Sequence, residues 1–167
     1  RLAQKRPDSD GAQLDLANVY QNMGRLHVEA KEADEAQRCY QSALAIRKRL
    51  ADAQPNVALY QRDLADAQCN LGLLYQQSGR PAQGAAALKA ARQIQQRLVQ
   101  KYPNVPQYQS DLAATCNNLG ILYSDRPEEF PEALQAHEEA LQVRRRLARE
   151  HAYVNQYQCD LARSHNN

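Results

Sequence analysis

Asparagine residues recur at one position along this sequence of 167 residues, and their side chains suit the binding of a peptide backbone. A carboxamide carries one acceptor and two donors, so it can pair with both the C=O and the N–H of a peptide unit. Such contacts bind a peptide whatever its side chains are. The recurring asparagines are Asn22, Asn70, Asn118 and Asn167, and the residues before them are Gln21, Cys69, Asn117 and Asn166.

Two roles are open for these carboxamides. If the helices that carry them lie about 10 Å apart, each asparagine meets roughly every third residue of an extended ligand. Alternatively, the carboxamides bond to the backbone of a neighbouring helix and hold the repeats in register, because buried amides need partners. Selectivity would come from nearby residues that differ between copies. The candidate binding residues are Asn22, Asn70, Asn118, Asn117, Asp66, Cys69, Leu73 and Ile121.

These residues belong to an internal repeat. Copies of the stretch that begins at Asp111 start at Asp15, Asp63 and Asp160, which gives spacings of 48, 48 and 49 residues. A fixed period of this size is typical of a stacked array. The expected units are residues 8–55, 56–103 and 104–152. Residues 1–7 are expected to end a preceding second helix, and residues 153–167 to begin the first helix of a fourth unit, as in a segment of a longer array.

Each unit is predicted to contain two antiparallel helices joined by an elbow, so the fold class is all-α. In the second unit, apolar residues between Leu64 and Tyr75 share one face of a 3.6-residue helix. Gly79 and Pro81 then end that helix and start the next. Asn56 and Asn104 are predicted to cap first helices. The elbow of the third unit is one residue longer. Small residues face each other across each pair: Gly24 and Ala36, Gly72 and Gly84, Gly120 and Ala133.

Charged residues are expected to play structural roles. The four recurring aspartates are expected to pair with Arg49, Arg97 or Arg146 of the preceding helix, and the cluster Arg144–Arg146 with Arg149 reads as a solvated helix end. A net charge of +2 favours neither nucleic acid nor membrane as a partner. No motif for a metal, a cofactor, a phosphate loop or a catalytic nucleophile is present, so an enzyme is not expected. The four cysteines form no C-x-x-C motif, which favours a reducing, cytoplasmic setting.

Two stretches, Leu71-Gly72-Leu73-Leu74-Tyr75 and Leu119-Gly120-Ile121-Leu122-Tyr123, resemble the L-G-x-x-Y core of the tetratricopeptide repeat. The long period and the run Ala43-Leu44-Ala45-Ile46-Arg47 are similar to the kinesin light chain type, as found in arrays attached to some bacterial kinases. The resemblance implies a right-handed α-solenoid of antiparallel pairs. It also implies that the asparagines line a concave groove, where those of the kinesin light chain type hold an extended peptide.

The expected function is therefore a scaffold that binds an extended peptide or a partner helix in this groove. The alternative is a structural spacer or oligomerisation arm, in which the exposed ends of arrays stack on one another. Self-association that depends on concentration would favour the alternative.

Overall fold

The computed structural model describes residues 9–165 of the chain, and within this range the secondary structure is helical. A single turn of 3-10 helix, Pro127–Glu129, precedes the sixth α-helix. The predictions for residues 1–7 and for Asn166 and Asn167 lie outside the described residues. The α-helices are α1 Asp10–Glu29, α2 Ala33–Ala53, α3 Ala58–Gln77, α4 Pro81–Lys101, α5 Pro106–Ser124, α6 Phe130–Glu150 and α7 Asn155–His165.

The helices pack in consecutive pairs, with the largest interfaces between α1 and α2, α3 and α4, and α5 and α6. Each second helix also packs on the first helix of the next pair, and α3 touches α5 directly. The predicted all-helical solenoid is thereby confirmed. The core is repeated along the array, because each helix buries one face within its pair and another between pairs.

The starts of the first helices differ from the prediction. Helix α3 begins after Val57 and α5 after Val105, and no side chain caps either of them. Asn56 lies one residue too early for this role, and its Oδ1 accepts a hydrogen bond from Lys101 Nζ at 3.3 Å. The cap predictions for Asn56 and Asn104 are therefore wrong. A backbone hydrogen bond closes each turn instead, from Val57 N–H to the Gln54 carbonyl and from Val105 N–H to the Tyr102 carbonyl.

The elbows within the pairs follow the predicted breaks. Gly79 takes a left-handed backbone (φ 70°), and Lys31 takes the same conformation (φ 64°) at the equivalent place of the first pair. Both elbows close with matching hydrogen bonds of 2.8 Å, from Arg80 N–H to the Tyr75 carbonyl and from Glu32 N–H to the His27 carbonyl. In the third pair the elbow is one residue longer, and the 3-10 turn forms part of it.

A close approach of two glycines joins α3 to α4. A Cβ on Gly72 would lie 3.2 Å from the carbonyl oxygen of Gly84 and 2.9 Å from Leu88 Cγ. The predicted contact of Gly72 with Gly84 is thus confirmed. At Gly24 and Gly120 the nearest atoms belong instead to the rings of Tyr40 and His137. The first helices of the pairs are thereby held tightly against their second helices, with one free face left for contacts outside the pair.

Candidate functional site

Three asparagines occupy equivalent positions on the first helices of successive pairs, and we call Asn22, Asn70 and Asn118 the amide row. Asn22 on α1 is exposed, while Asn70 on α3 and Asn118 on α5 are partly exposed. Their carboxamides make no hydrogen bond or ion pair with any described residue. Buried amides that hold a structure together are bonded to it. The amide row therefore leaves its donors and acceptors available to a ligand.

The residues before the amide row point into the array. Gln21 Oε1 accepts a hydrogen bond from Arg47 on α2. The sulfur of Cys69 lies 3.1 Å from Thr115 Oγ1 on α5, and burial raises the pKa of the Cys69 thiol to about 11. Asn117 is buried. Of the candidate residues, Cys69 and Asn117 thus lie beneath the surface that carries the amide row.

Apolar side chains stand one turn further along the same helices. Leu73 on α3 is partly exposed, and Ile121 at the equivalent position of α5 is 41% exposed. The first copy has Arg25 at this position, where it pairs with Glu29 at 3.4 Å. The surface beside the amide row is therefore cationic over α1 and apolar over α3 and α5.

Aspartates and arginines meet where α3 faces α5. Arg62 donates from Nε to Asp111 Oδ2 at 2.9 Å. The predicted partner of Asp111 was Arg97, which instead donates to the carbonyl of Gln93 in its own helix. That prediction is wrong. Burial raises the pKa of Asp63, and the positive charges of Arg47 and Arg62, not that of Arg49, oppose this shift.

Asp66, another candidate residue, lies in this cluster and has no hydrogen-bonded partner within residues 9–165. Burial is the main cause that raises its pKa to about 6. The negative charges of Asp111 and Asp63 raise the pKa further, while Arg62 and Arg47 oppose the shift. Asp66 therefore carries a carboxylate whose charge changes just below neutral pH.

Replacing Asp66 by asparagine is expected to stabilise the protein at pH 7.5 and to have little effect at pH 3.5. The folded state binds the Asp66 proton more tightly than the unfolded chain, so stability falls as pH rises from about 3.8 to about 6. The expected gain at pH 7.5 is about 1–2 kcal/mol, after allowance for partial contact with solvent. Urea unfolding at the two pH values measures it.

The control for this variant is Asp52→Asn, which removes an exposed carboxylate paired with Lys48 at 2.7 Å. Its effect should stay within about 0.5 kcal/mol at both pH values. An equal effect of Asp66→Asn at pH 3.5 and pH 7.5 would contradict the account of its titration.

Arg47 is a structural centre that the sequence analysis missed. Its side chain is 4% exposed, and Nη2 donates to Asn18 Oδ1 at 2.9 Å while Nη1 donates to the carbonyl of Asp63 at 3.3 Å. It therefore joins α2 to α1 and to α3. The sequence contains a signal for this role, because polar residues recur at the equivalent positions as Gln95 and Arg144. Both of them are buried.

The arginine cluster of α6 is divided between two environments. Arg144 is buried, so its interpretation as part of a solvated helix end is wrong. Arg146 donates from Nε and Nη2 to Gln109 Oε1 on α5 at 3.2 and 2.8 Å. Arg145, Arg146 and Arg149 are all exposed. Two of the four arginines thus serve packing between helices.

Comparison with known proteins points to one family. A family model described as tetratricopeptide repeat matches residues 15–55 and 112–153. A search of curated proteins finds no match. Among solved structures, the crystal structure of BtubC (BKLC) from P. vanneervenii superposes with a TM-score of 0.65 over 99% of this chain at 21% identity. The chain spans 59% of the length of that structure, and at this identity the likeness concerns the fold. In the described residues no helix is long and apolar enough to cross a bilayer.

Proposed function

The chain is built from tetratricopeptide repeats, and we propose that it is a scaffold that binds an extended peptide segment of a partner protein along the amide row. Tetratricopeptide repeats generally mediate contacts between proteins, and arrays of them are generally not catalytic. The observation that carries the proposal is the absence of any bonded partner for Asn22, Asn70 and Asn118 within the described residues. A role in holding the repeats in register would require such partners.

The geometry fits an extended backbone. Helix α3 touches α5 directly, so the carboxamides of Asn70 and Asn118 are spaced by about one helix diameter, on the order of 10 Å. An extended chain advances about 3.3 Å per residue, so each carboxamide meets the backbone at roughly every third residue. Side chains of the peptide that point toward α3 and α5 would then pack on Leu73 and Ile121. A peptide with apolar residues at that spacing is the expected ligand.

Replacing Asn70 and Asn118 together by alanine is expected to weaken the binding of such a peptide at least tenfold. Each lost hydrogen bond costs about 1 kcal/mol net, and two carboxamides supply two or more bonds. A displayed library of random peptides selected on the wild-type chain provides the probe, and fluorescence polarisation of a selected peptide gives the affinity of each variant.

The control is Asn104→Ala, which removes an exposed carboxamide outside the amide row. Circular dichroism must show equal helicity for all three proteins. If the double variant binds the selected peptide as tightly as the wild type does, the amide row is not the binding site.

A second candidate function, self-association, is supported by the outer face of α1. Leu16, Val19, Met23 and Leu26 are 42–57% exposed. The equivalent residues of α3, Leu64, Ala67, Leu71 and Leu74, are buried where that helix meets α2. Sedimentation velocity separates the two functions, because assembly through α1 predicts self-association without any peptide.

We also propose that the protein works in a reducing compartment such as the cytoplasm. Cys39, Cys69, Cys116 and Cys159 are free thiols. Burial raises the pKa of the Cys116 thiol to about 12, so this side chain serves as a small apolar core residue.

A further inference from the structure

A cavity of about 470 Å³ lies at the end of α4, where the connection from α2 to α3 passes over it. Leu64, Ile94 and Leu98 form its apolar floor, and all three belong to the buried core. Cavities of roughly 300–1,000 Å³ are the usual size of small-molecule sites. The amide row does not line this cavity, so a ligand here is independent of the proposed peptide site.

Two cations stand at the mouth of the cavity. Arg97 donates from Nε to the carbonyl of Gln93 at 3.3 Å, and its Nη groups have no partner among the described residues. Lys101 reaches Asn56 Oδ1 at 3.3 Å. Asp52 also lines the cavity, but its carboxylate already pairs with Lys48. The free donors at the mouth therefore favour an anion.

The next repeat supplies an internal comparison. There Arg146 donates from Nε and Nη2 to Gln109 Oε1, and Glu150 occupies the position that Lys101 has in the second repeat. The equivalent cavity is only about 190 Å³.

The cavity of the second repeat is wider because two of its residues are small and because the side-chain amide of Gln61 has a different partner. Ala51 and Ala58 stand where the third repeat has Val99 and Pro106. Gln61, the equivalent of Gln109, donates to the carbonyl of Ala51 at 3.1 Å and makes no bond to Arg97. The wide cationic cavity thus belongs to the second repeat.

We propose that this cavity binds a small organic carboxylate with an aliphatic body. The carboxylate lies against Arg97 and Lys101, where the planar guanidinium can donate two parallel hydrogen bonds to it. The aliphatic body lies on Leu64, Ile94 and Leu98 and displaces water from the cavity. The ligand needs both parts, because neither the exposed cations nor the small apolar floor binds strongly alone.

The test is a titration of the ¹⁵N-labelled chain with octanoate, followed by NMR, with octanol and acetate in parallel at constant pH and ionic strength. Octanoate is expected to give saturable shifts confined to the residues around the cavity. Octanol should bind at least tenfold more weakly, and acetate should not saturate. Equal affinities for octanoate and octanol, or octanoate shifts that do not saturate, would overturn the proposal.

Variants locate the binding. Arg97→Gln is expected to weaken octanoate about tenfold, which is the loss of one charge-assisted pair. Ala51→Val copies the third repeat, narrows the cavity and should weaken octanoate while both cations remain. The matched control is Arg49→Gln, the equivalent exposed arginine of the first repeat, which should bind octanoate like the wild type. Unchanged binding by Arg97→Gln would also overturn the proposal.

Discussion

Replacing Leu88 by alanine is expected to lower the free energy of unfolding by about 3–5 kcal/mol, the range for large cavities in a core. Leu88 is 0% exposed and packs with Leu119 and Leu122 of the next pair. It also fills the space above Gly72, where no side chain is available to close a gap. Its removal therefore opens a cavity at the junction of α3, α4 and α5, and the backbone contact of Gly72 with Gly84 prevents the helices from collapsing into it.

Urea unfolding followed by circular dichroism measures this loss of stability. Hydrogen exchange shows which helices are destabilised. Exchange should accelerate most in α3, α4 and α5, because each repeat contacts only its neighbours. The control is Leu134→Ala on α6, where the side chain is 62% exposed, with an expected change of less than about 0.5 kcal/mol. A loss below about 1 kcal/mol for Leu88→Ala would show that the junction repacks.

Replacing Arg47 by alanine is expected to cost about 3 kcal/mol. Removing one partner from a buried charged network leaves the other groups without hydrogen bonds, and this usually costs about 3–5 kcal/mol. Here the groups left behind are the exposed side chain of Asn18, the partly exposed side chain of Gln21 and the carbonyl of Asp63. Water can reach Asn18, so the expected cost lies at the low end of this range. Burial already lowers the pKa of Arg47, so part of the loss is offset by relief of its desolvation.

The matched control for this variant is Arg49→Ala, two residues away on the exposed face of the same helix. Urea unfolding should show a change of less than about 0.5 kcal/mol for it. Arg47→Gln copies Gln95 of the second repeat and should retain part of the stability. If Arg47→Ala unfolds at the same urea concentration as the wild type, the guanidinium does not join α1, α2 and α3 as described.

The repeat and its helices could be predicted from the sequence because they depend on local chemistry. Gly79 and Pro81 interrupt the helix through their own backbone preferences, and the apolar residues between Leu64 and Tyr75 repeat at the helical period. The contact of Gly72 with Gly84 followed, since two residues without side chains allow the closest approach. The cap at Asn56 failed because the backbone itself closes the turn at Val57.

The sequence by itself determined which residues are equivalent, including the amide row and the residue that precedes each member of it. Only the tertiary structure decided which of them remain open: Asn70 and Asn118 have no partner in the part of the chain that the structure describes, whereas Cys69 contacts Thr115 and Asn117 is buried. Adjacent residues on a helix are rotated by about 100°, so a shift of one position moves a side chain from a free surface to the neighbouring helix. A period cannot tell these two positions apart, because the angle at which successive pairs pack decides which face is covered.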